Sequence, residues 1–204
     1  MNSNSGYSLI QKNVSRETFS LMEQYVALLL KWNKSINLIG ASTENEIWDR
    51  HILDAWQIVQ YLPSIKTKPR LLDMGSGAGL PGMILAMLGY ELVMVESDER
   101  KCVFLKETIR VLGLHAQVNN CRMEVLDMGK FDIITARALA PLSQLLTYAF
   151  PHMGINGQCI FPKGQTYSME IVDARKQWQF SDMVHPSQCH PKSVILQLSN
   201  ISSV

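Results

Sequence analysis

Asp73 and the glycines at 75, 77, 79 and 82 fall in one stretch, Arg70-Leu-Leu-Asp-Met-Gly-Ser-Gly-Ala-Gly-Leu-Pro-Gly82, whose chemistry is cofactor binding by backbone donors. Leu71 and Leu72 predict a buried strand, and the glycines a tight turn with no Cβ in the way of a ligand. Pro81 suits the first turn of a helix, where its missing N–H costs nothing. Strand, turn and helix N-terminus in succession bring N–H groups together at one point. Gly77-x-Gly79-x-x-Gly82 matches the dinucleotide fingerprint, and Glu96 follows at about the right distance. Asp73 at the strand exit points to a different occupant, because an ionised carboxylate repels a pyrophosphate. S-adenosylmethionine carries a sulfonium and an α-ammonium and no phosphate. The residues Asp73, Gly75, Ser76 and Gly77 therefore suit it better than NAD, which stays the literal alternative from the glycine count.

Other residues can complete such a site. Leu92–Glu96 predicts the next parallel strand, and a carboxylate at its end can accept hydrogen bonds from both hydroxyls of a ribose. The loop Cys121-Arg-Met-Glu124 follows a short strand centred on Val118, at the sheet edge where open α/β folds bind ligands. Its backbone can meet an adenine, with Met123 as an apolar wall. Phe131–Ala136 predicts a strand delivering Arg137 to the same edge, where an unpaired buried charge is costly and a carboxylate or ligand is expected. Lys163 follows a fifth strand over 157–161. Arg50, His51 and Asp54 share one side of a helix, and their spacing alone reads most simply as a solvated Arg–Asp pair.

The elements that must position these residues follow from the hydrophobic period. Residues 1–13 are polar and predicted to fray. Ser15 caps a helix burying Phe19, Met22, Val26, Leu29 and Leu30. Thr43 and Glu46 read as the capping box of a second helix that buries Trp48, Ile52, Ala55, Val59 and Leu62 and stops at Pro63. From Arg70 strand and helix alternate, with helices over 81–88, after Glu96 to Leu112, from Pro141 to Ala149 and over 167–178. Closing strands at 180–184 and 193–198 can form an antiparallel edge pair. The expected fold is α/β, a doubly wound and mostly parallel seven-stranded sheet with helices on both faces. Residues 1–66 read as a helical extension packed on a sheet domain of 67–204.

A chain of 204 residues with a net charge of +1 is no general electrostatic trap for nucleic acid, so any RNA must meet a local patch or a shape. The four cysteines have no C-x-x-C spacing and read as free thiols; His185, Cys189 and His190 make no zinc spacing, so no metal is expected. No basic-then-apolar leader appears in the first 30 residues, and the stretch 79–90 is too rich in Gly and Pro to read as a membrane span. A cytoplasmic monomer without membrane contact is the expectation.

The residues resemble one family, the bacterial small-subunit ribosomal RNA guanine-N(7) methyltransferases, also called the glucose-inhibited division protein B family. The resemblance runs from about Tyr25 to about Gly164. It rests on Lys31-Trp-Asn33 with Asn37-Leu38, Arg50-His-x-Leu-Asp54, the run Asp73 to Gly82 ending in Gly-Leu-Pro-Gly, and Glu96-Ser97 with Arg100-Lys101. Arg122-x-Glu124, Ala136-Arg-Ala138 and Lys163-Gly164 add to it. It implies a Rossmann-like methyltransferase with a small N-terminal helical cap, methylating a guanine in the decoding-region loop of the small-subunit (16S) RNA, free or within the small ribosomal subunit. It also implies S-adenosylmethionine contacts at Gly75, Leu80, Met123, Glu124 and Arg137, and a substrate side at Arg50, His51 and Lys163. Arg137 and Lys163 are the residues expected to position the reacting groups. The tail His190-Pro-Lys-Ser193 carries fewer basic residues than the resemblance implies for the closing hairpin. A small-molecule methyltransferase and a non-enzymatic RNA-binding or ribosome-assembly factor are the competing readings.

Overall fold

The computed structural model describes residues 5–204. Ser5–Asn13 forms helix α1 rather than a frayed tail, and residues 1–4 of the predicted fray lie outside the described residues. Burial and hydrogen bonds hold α1: Ile10 is fully buried, the N–H of Gly6 donates to Asp49 Oδ1 at 2.6 Å, and the Tyr7 hydroxyl donates to Glu23 Oε1 at 2.7 Å. Helix α2, Arg16–Asn33, starts as predicted, with Ser15 Oγ accepting from Thr18 N at 3.1 Å.

The second predicted helix is broken into short turns. Ala41–Glu46 and Gln57–Tyr61 are 3-10 turns, Trp48–Ile52 is a π-helical turn, and only Leu53–Trp56, α3, is α-helical. The capping box does not form. Thr43 instead gives its hydroxyl proton to Gly40 O at 2.7 Å and meets His51 Nε2 at 2.7 Å. π turns recur at functional sites because the extra residue re-aims the side chains around it.

Beyond Arg70 the alternation is as expected. The elements are β1 Leu71–Met74, α4 Gly82–Met87, β2 Leu92–Glu96, α5 Glu99–Leu112, β3 Ala116–Asn120 and β4 Phe131–Ala136. They continue as α6 Leu142–Ala149, β5 Met153–Lys163, α7 Tyr167–Ala174, β6 Trp178–Pro186 and β7 Val194–Ser203. Strands β5 to β7 are longer than predicted and α7 is shorter: Met153 at the start of β5 pairs with Phe131 of β4, and the β6–β7 hairpin ladder runs from Trp178–Ser203 to Pro186–Val194, past the apolar residues that signal it.

The seven strands take the order β3-β2-β1-β4-β5-β7-β6, parallel except for the two pairings of β7. Alternate residues of each strand feed two cores. Leu71, Met94, Ile133, Ile160 and Ile195 pack with α1 to α5, while Leu72, Val93, Val95, Ile134, Cys159, Phe161 and Leu196 pack with α6 and α7. The N-terminal helices thus share one apolar core with the sheet. Among the described residues no helix is long and apolar enough to cross a membrane.

Gly82 at the start of α4 is the tightest joint of this packing. A Cβ there would stand 2.9 Å from Asp73 Oδ2 and 2.9 Å from both Cγ and Sδ of Met94, in a site closed on every side. Gly82→Ala should therefore destabilise by about 1–3 kcal/mol, lowering Tm by about 3–10 °C in a thermal melt. An unchanged Tm would show that the joint is looser than this.

Candidate functional site

The sequence order reverses between β1 and β4, and their carboxyl ends diverge there into a cleft of about 510 Å³. That is where doubly wound sheets bind ligands, and the volume lies in the range of small-molecule sites. The floor is the glycine turn after β1, with Gly75, Ser76, Gly77, Ala78 and Leu80. Gly75 and Gly79 adopt φ of 61° and 90°, and a Cβ on either would come within 2.5 Å of Leu139 or Met83. These two positions demand glycine both for conformation and for space. Tyr25, fully buried on α2, donates its hydroxyl to Ala78 O at 2.7 Å and fastens the turn to the N-terminal helices.

Glu96 at the end of β2 forms one wall. Its Oε2 accepts from Gly77 N at 2.8 Å and its Oε1 from Asp98 N at 2.8 Å, so the carboxylate holds the glycine turn and the start of α5 together. Each oxygen keeps a further lone pair, and the side chain, only 8% exposed, lines the cleft. Arg122, Met123 and Glu124 line the next wall as predicted.

Arg137 stands opposite. Its Nε lies 2.8 Å from Asp54 Oδ2, and one NH2 donates to Arg50 O at 3.2 Å and meets His51 Nδ1 at 2.8 Å. Asp54 is largely buried; burial raises its carboxyl and the Arg137 charge only partly offsets this. Gln57 donates to Asp54 Oδ1 at 2.9 Å and to Ser187 Oγ at 3.1 Å, which clamps the loop between β6 and β7 onto this network.

Three predicted site residues sit elsewhere. Asp73 does not line the cleft: it is fully buried, its Oδ1 accepts from Thr135 Oγ1 at 2.8 Å and its Oδ2 from Gly82 N at 3.3 Å. On β1 it shares the face of Leu71, toward α4, so its charge reaches the cleft only through the turn it shapes. Arg50 points outward, 59% exposed, with its guanidinium 3.6 Å from Glu46. Lys163 is also absent from the cleft lining; its ammonium lies 2.5 Å from Glu170 and donates to Ala140 O at 3.2 Å. Glu170 in turn accepts from Leu142 N at 2.9 Å. This pair therefore pins the segment whose first residues, Ala138 and Leu139, form part of the cleft.

Other lining residues have no site role in the sequence reading. Leu38, Ile39 and Gly40 form a lip, Lys101 reaches in from α5, and Tyr148 stands on α6. Asn33 shapes the lip: its Oδ1 accepts from Leu38 N and Ile39 N at 2.8 and 2.9 Å, and its Nδ2 donates to Ile39 O at 3.1 Å. The apolar punctuation of Trp32, Ile36 and Leu38 was the available signal, but a polar stretch gives no period to place it.

Burial raises the Asp73 carboxyl to about 6, although Thr135 and Gly82 favour its ionised form. A folded-state value above the unfolded one means that the native protein holds this proton more tightly. The stability it contributes is complete below about pH 4 and is lost as pH rises through about 6. Asp73→Asn removes the titration. Wild type should gain about 2 kcal/mol on the variant between pH 7.5 and pH 4, read by urea unfolding of both. A difference independent of pH would mean that Asp73 titrates normally.

The glycine turn at the switch point and the acidic end of the second strand define a class: the Rossmann-like fold of S-adenosylmethionine-dependent methyltransferases. The chain is similar in fold to a glycopeptide N-methyltransferase solved with S-adenosylmethionine (TM-score 0.60, 9% identity, 74% of this chain and 94% of that one). It is also similar to a ribosomal protein L11 methylase from Lactobacillus delbrueckii subsp. bulgaricus (TM-score 0.58, 20% identity, 72% and 76%).

Residues 18–195 match the family described as rRNA small subunit methyltransferase G, and the chain belongs to that family. Relatives named ribosomal RNA small subunit methyltransferase G include one from Cereibacter sphaeroides, 46% identical over 94% of either chain. Another, from Paramagnetospirillum magneticum, is 43% identical over 95% of this chain and 94% of its own.

Proposed function

We infer that this protein transfers the methyl group of S-adenosylmethionine to N7 of a guanine in the decoding-region loop of small-subunit (16S) ribosomal RNA, as a cytoplasmic monomer. Family membership over nearly the whole chain carries the reading. In it, residues 1–66 serve as a helical extension of the sheet domain 67–204.

The residues present fit the cofactor. Glu96 keeps a lone pair on each oxygen for a ribose diol, Met123 gives an adenine an apolar wall, and the turn at Gly75 to Gly77 leaves the floor free of side chains except Ser76. The bound cofactor supplies an electrophilic methyl on a sulfonium. Guanine N7 presents an in-plane lone pair and has no proton to lose, so the protein has to align two partners and needs no general base. Arg137, fixed on three sides by Asp54, His51 and Arg50 O, is suited to hold the incoming base or its phosphate on the open side of the cleft. Lys163 acts on the same segment from behind through Ala140 O. Arg50, exposed beside Glu46, is placed to meet the RNA outside the cleft.

Labelled methyl transfer to small ribosomal subunits and to naked RNA, with the modified nucleoside identified by mass, tests the reading. 7-Methylguanosine is the expected product. Transfer to another nucleoside, or RNA binding indifferent to S-adenosylmethionine with no transfer, would overturn it.

A further inference from the structure

We propose that His51, as the neutral imidazole with its proton on Nε2, is a positioning residue that couples Arg137 to the lip Leu38–Gly40 through the hydroxyl of Thr43. The coupling rests on the reading of the cleft as the methyl-transfer site.

The sense of every hydrogen bond in this chain is fixed by donor and acceptor capacity. A guanidinium has only donors, so His51 Nδ1, 2.8 Å from an Arg137 NH2, must be the acceptor. The ring proton is then on Nε2 and is given to Thr43 Oγ1 at 2.7 Å. With its lone pair so engaged, the hydroxyl directs its own proton to Gly40 O at 2.7 Å. The chain runs one way, from Arg137 through His51 and Thr43 to Gly40, and a proton on Nδ1 would set two donors face to face. Electrostatics favours the same form. Burial, then the Arg137 and Arg50 charges, push the imidazole down to about 4, so it is neutral at physiological pH.

Both ends of the chain are parts of the cleft. Gly40 belongs to the lip that Asn33 shapes from its other side, and Arg137 forms the opposing wall. His51 itself is 9% exposed and lines the cleft between them. The π turn over Trp48–Ile52 is what turns His51 inward while Arg50, its neighbour, faces solvent. A side chain that spends both ring nitrogens on protein partners is built to hold two walls in register. Its ring has no nitrogen left for RNA.

Two readouts test this. The first needs no activity: in the ligand-free protein, nitrogen-15 NMR of the His51 ring should show an unprotonated Nδ1 and a protonated Nε2 at pH 7. The reverse tautomer, or the doubly protonated ring, refutes the proposal. The second is a cycle of methyl-transfer kinetics with His51→Phe, Thr43→Val and Arg137→Ala. His51→Phe should lower kcat about tenfold and Thr43→Val about threefold, each with KM for RNA unchanged within about twofold. His51→Phe should cost nothing further on Arg137→Ala, and Thr43→Val nothing further on His51→Phe. His51→Gln, which offers an acceptor and a donor end, should recover most of the loss. Additive losses, a KM effect alone, or no loss at either position would each overturn the coupling. Thr43→Val, on a partly exposed 3-10 turn, keeps the cycle readable if His51→Phe folds poorly. A wild-type protein with the expected tautomer but no methyl transfer would sink the functional reading and leave the hydrogen-bond chain standing.

Discussion

Arg137→Ala should lower methyl transfer to small-subunit RNA by more than about 100-fold, the largest loss expected of a single side chain here. Three of the guanidinium's contacts are used to fix it: Nε with Asp54, and NH2 with the Arg50 carbonyl and His51. A planar fork held this way presents its remaining edge in one orientation, which an ammonium on a flexible stem cannot copy. Arg137→Lys should therefore recover little of the turnover, although it keeps the charge. Truncation also leaves Asp54 largely buried without its cation, and a broken buried pair costs up to about 3–5 kcal/mol. Loss of turnover could then be blamed on the fold. The double variant Arg137→Ala with Asp54→Ala separates the two effects. Removing both partners should restore most of the thermal stability while turnover stays at the level of the single variant. Turnover that returns with stability would remove Arg137 from the chemistry and make it a structural ion.

The same cleft shows what a sequence can and cannot disclose. Strand β4 and the delivery of Arg137 to the sheet edge were legible because a run of β-branched and apolar residues names a strand and its end at once. That a charged side chain there must find a carboxylate also followed, but not which one. Asp54 lies 83 positions upstream by residue number, on a segment whose helical phase is broken by the π turn. The expected face of Arg50, His51 and Asp54 divides accordingly: His51 and Asp54 turn in to Arg137 and Arg50 turns out. Thr43 with Glu46 looked like a capping box because the spacing was right. The neighbouring histidine, a better partner, took the hydroxyl.

Asp73 illustrates a different failure. The strand-end position of this acid is legible in the sequence, but its charge does not face the cleft. The period-two rule was enough to correct this, since Asp73 and Leu71 share a face and Leu71 is core. The acid that does reach the cleft is Glu96, one strand over. The acids in the lining are therefore Glu96 and Glu124 rather than Asp73, and they share it with Lys101, Arg122 and Arg137. It is thus the placement of an acid beside the cofactor's cationic groups, and not the summed charge of the cleft, that can favour a cationic cofactor over a diphosphate.

Glu96 accordingly carries the second large prediction. Glu96→Ala should weaken S-adenosylmethionine binding about 100-fold by calorimetry. Two losses combine in that figure. The ribose loses a charged acceptor, and the N–H groups of Gly77 and Asp98 lose theirs, which frees the glycine turn from the start of α5. The two can be told apart with a cofactor analogue lacking the 2′-hydroxyl. If Glu96 holds the ribose, the analogue binds wild type about tenfold more weakly than the natural cofactor does, and the Glu96→Ala protein takes both equally. If Glu96 only braces the turn, the analogue is penalised to the same degree in both proteins. Glu96→Gln should fall between: its amide has one oxygen for two N–H donors and meets one of them with its own NH2. Equal affinity of all three proteins for the natural cofactor would place the ribose elsewhere and leave the end of β2 a purely structural joint.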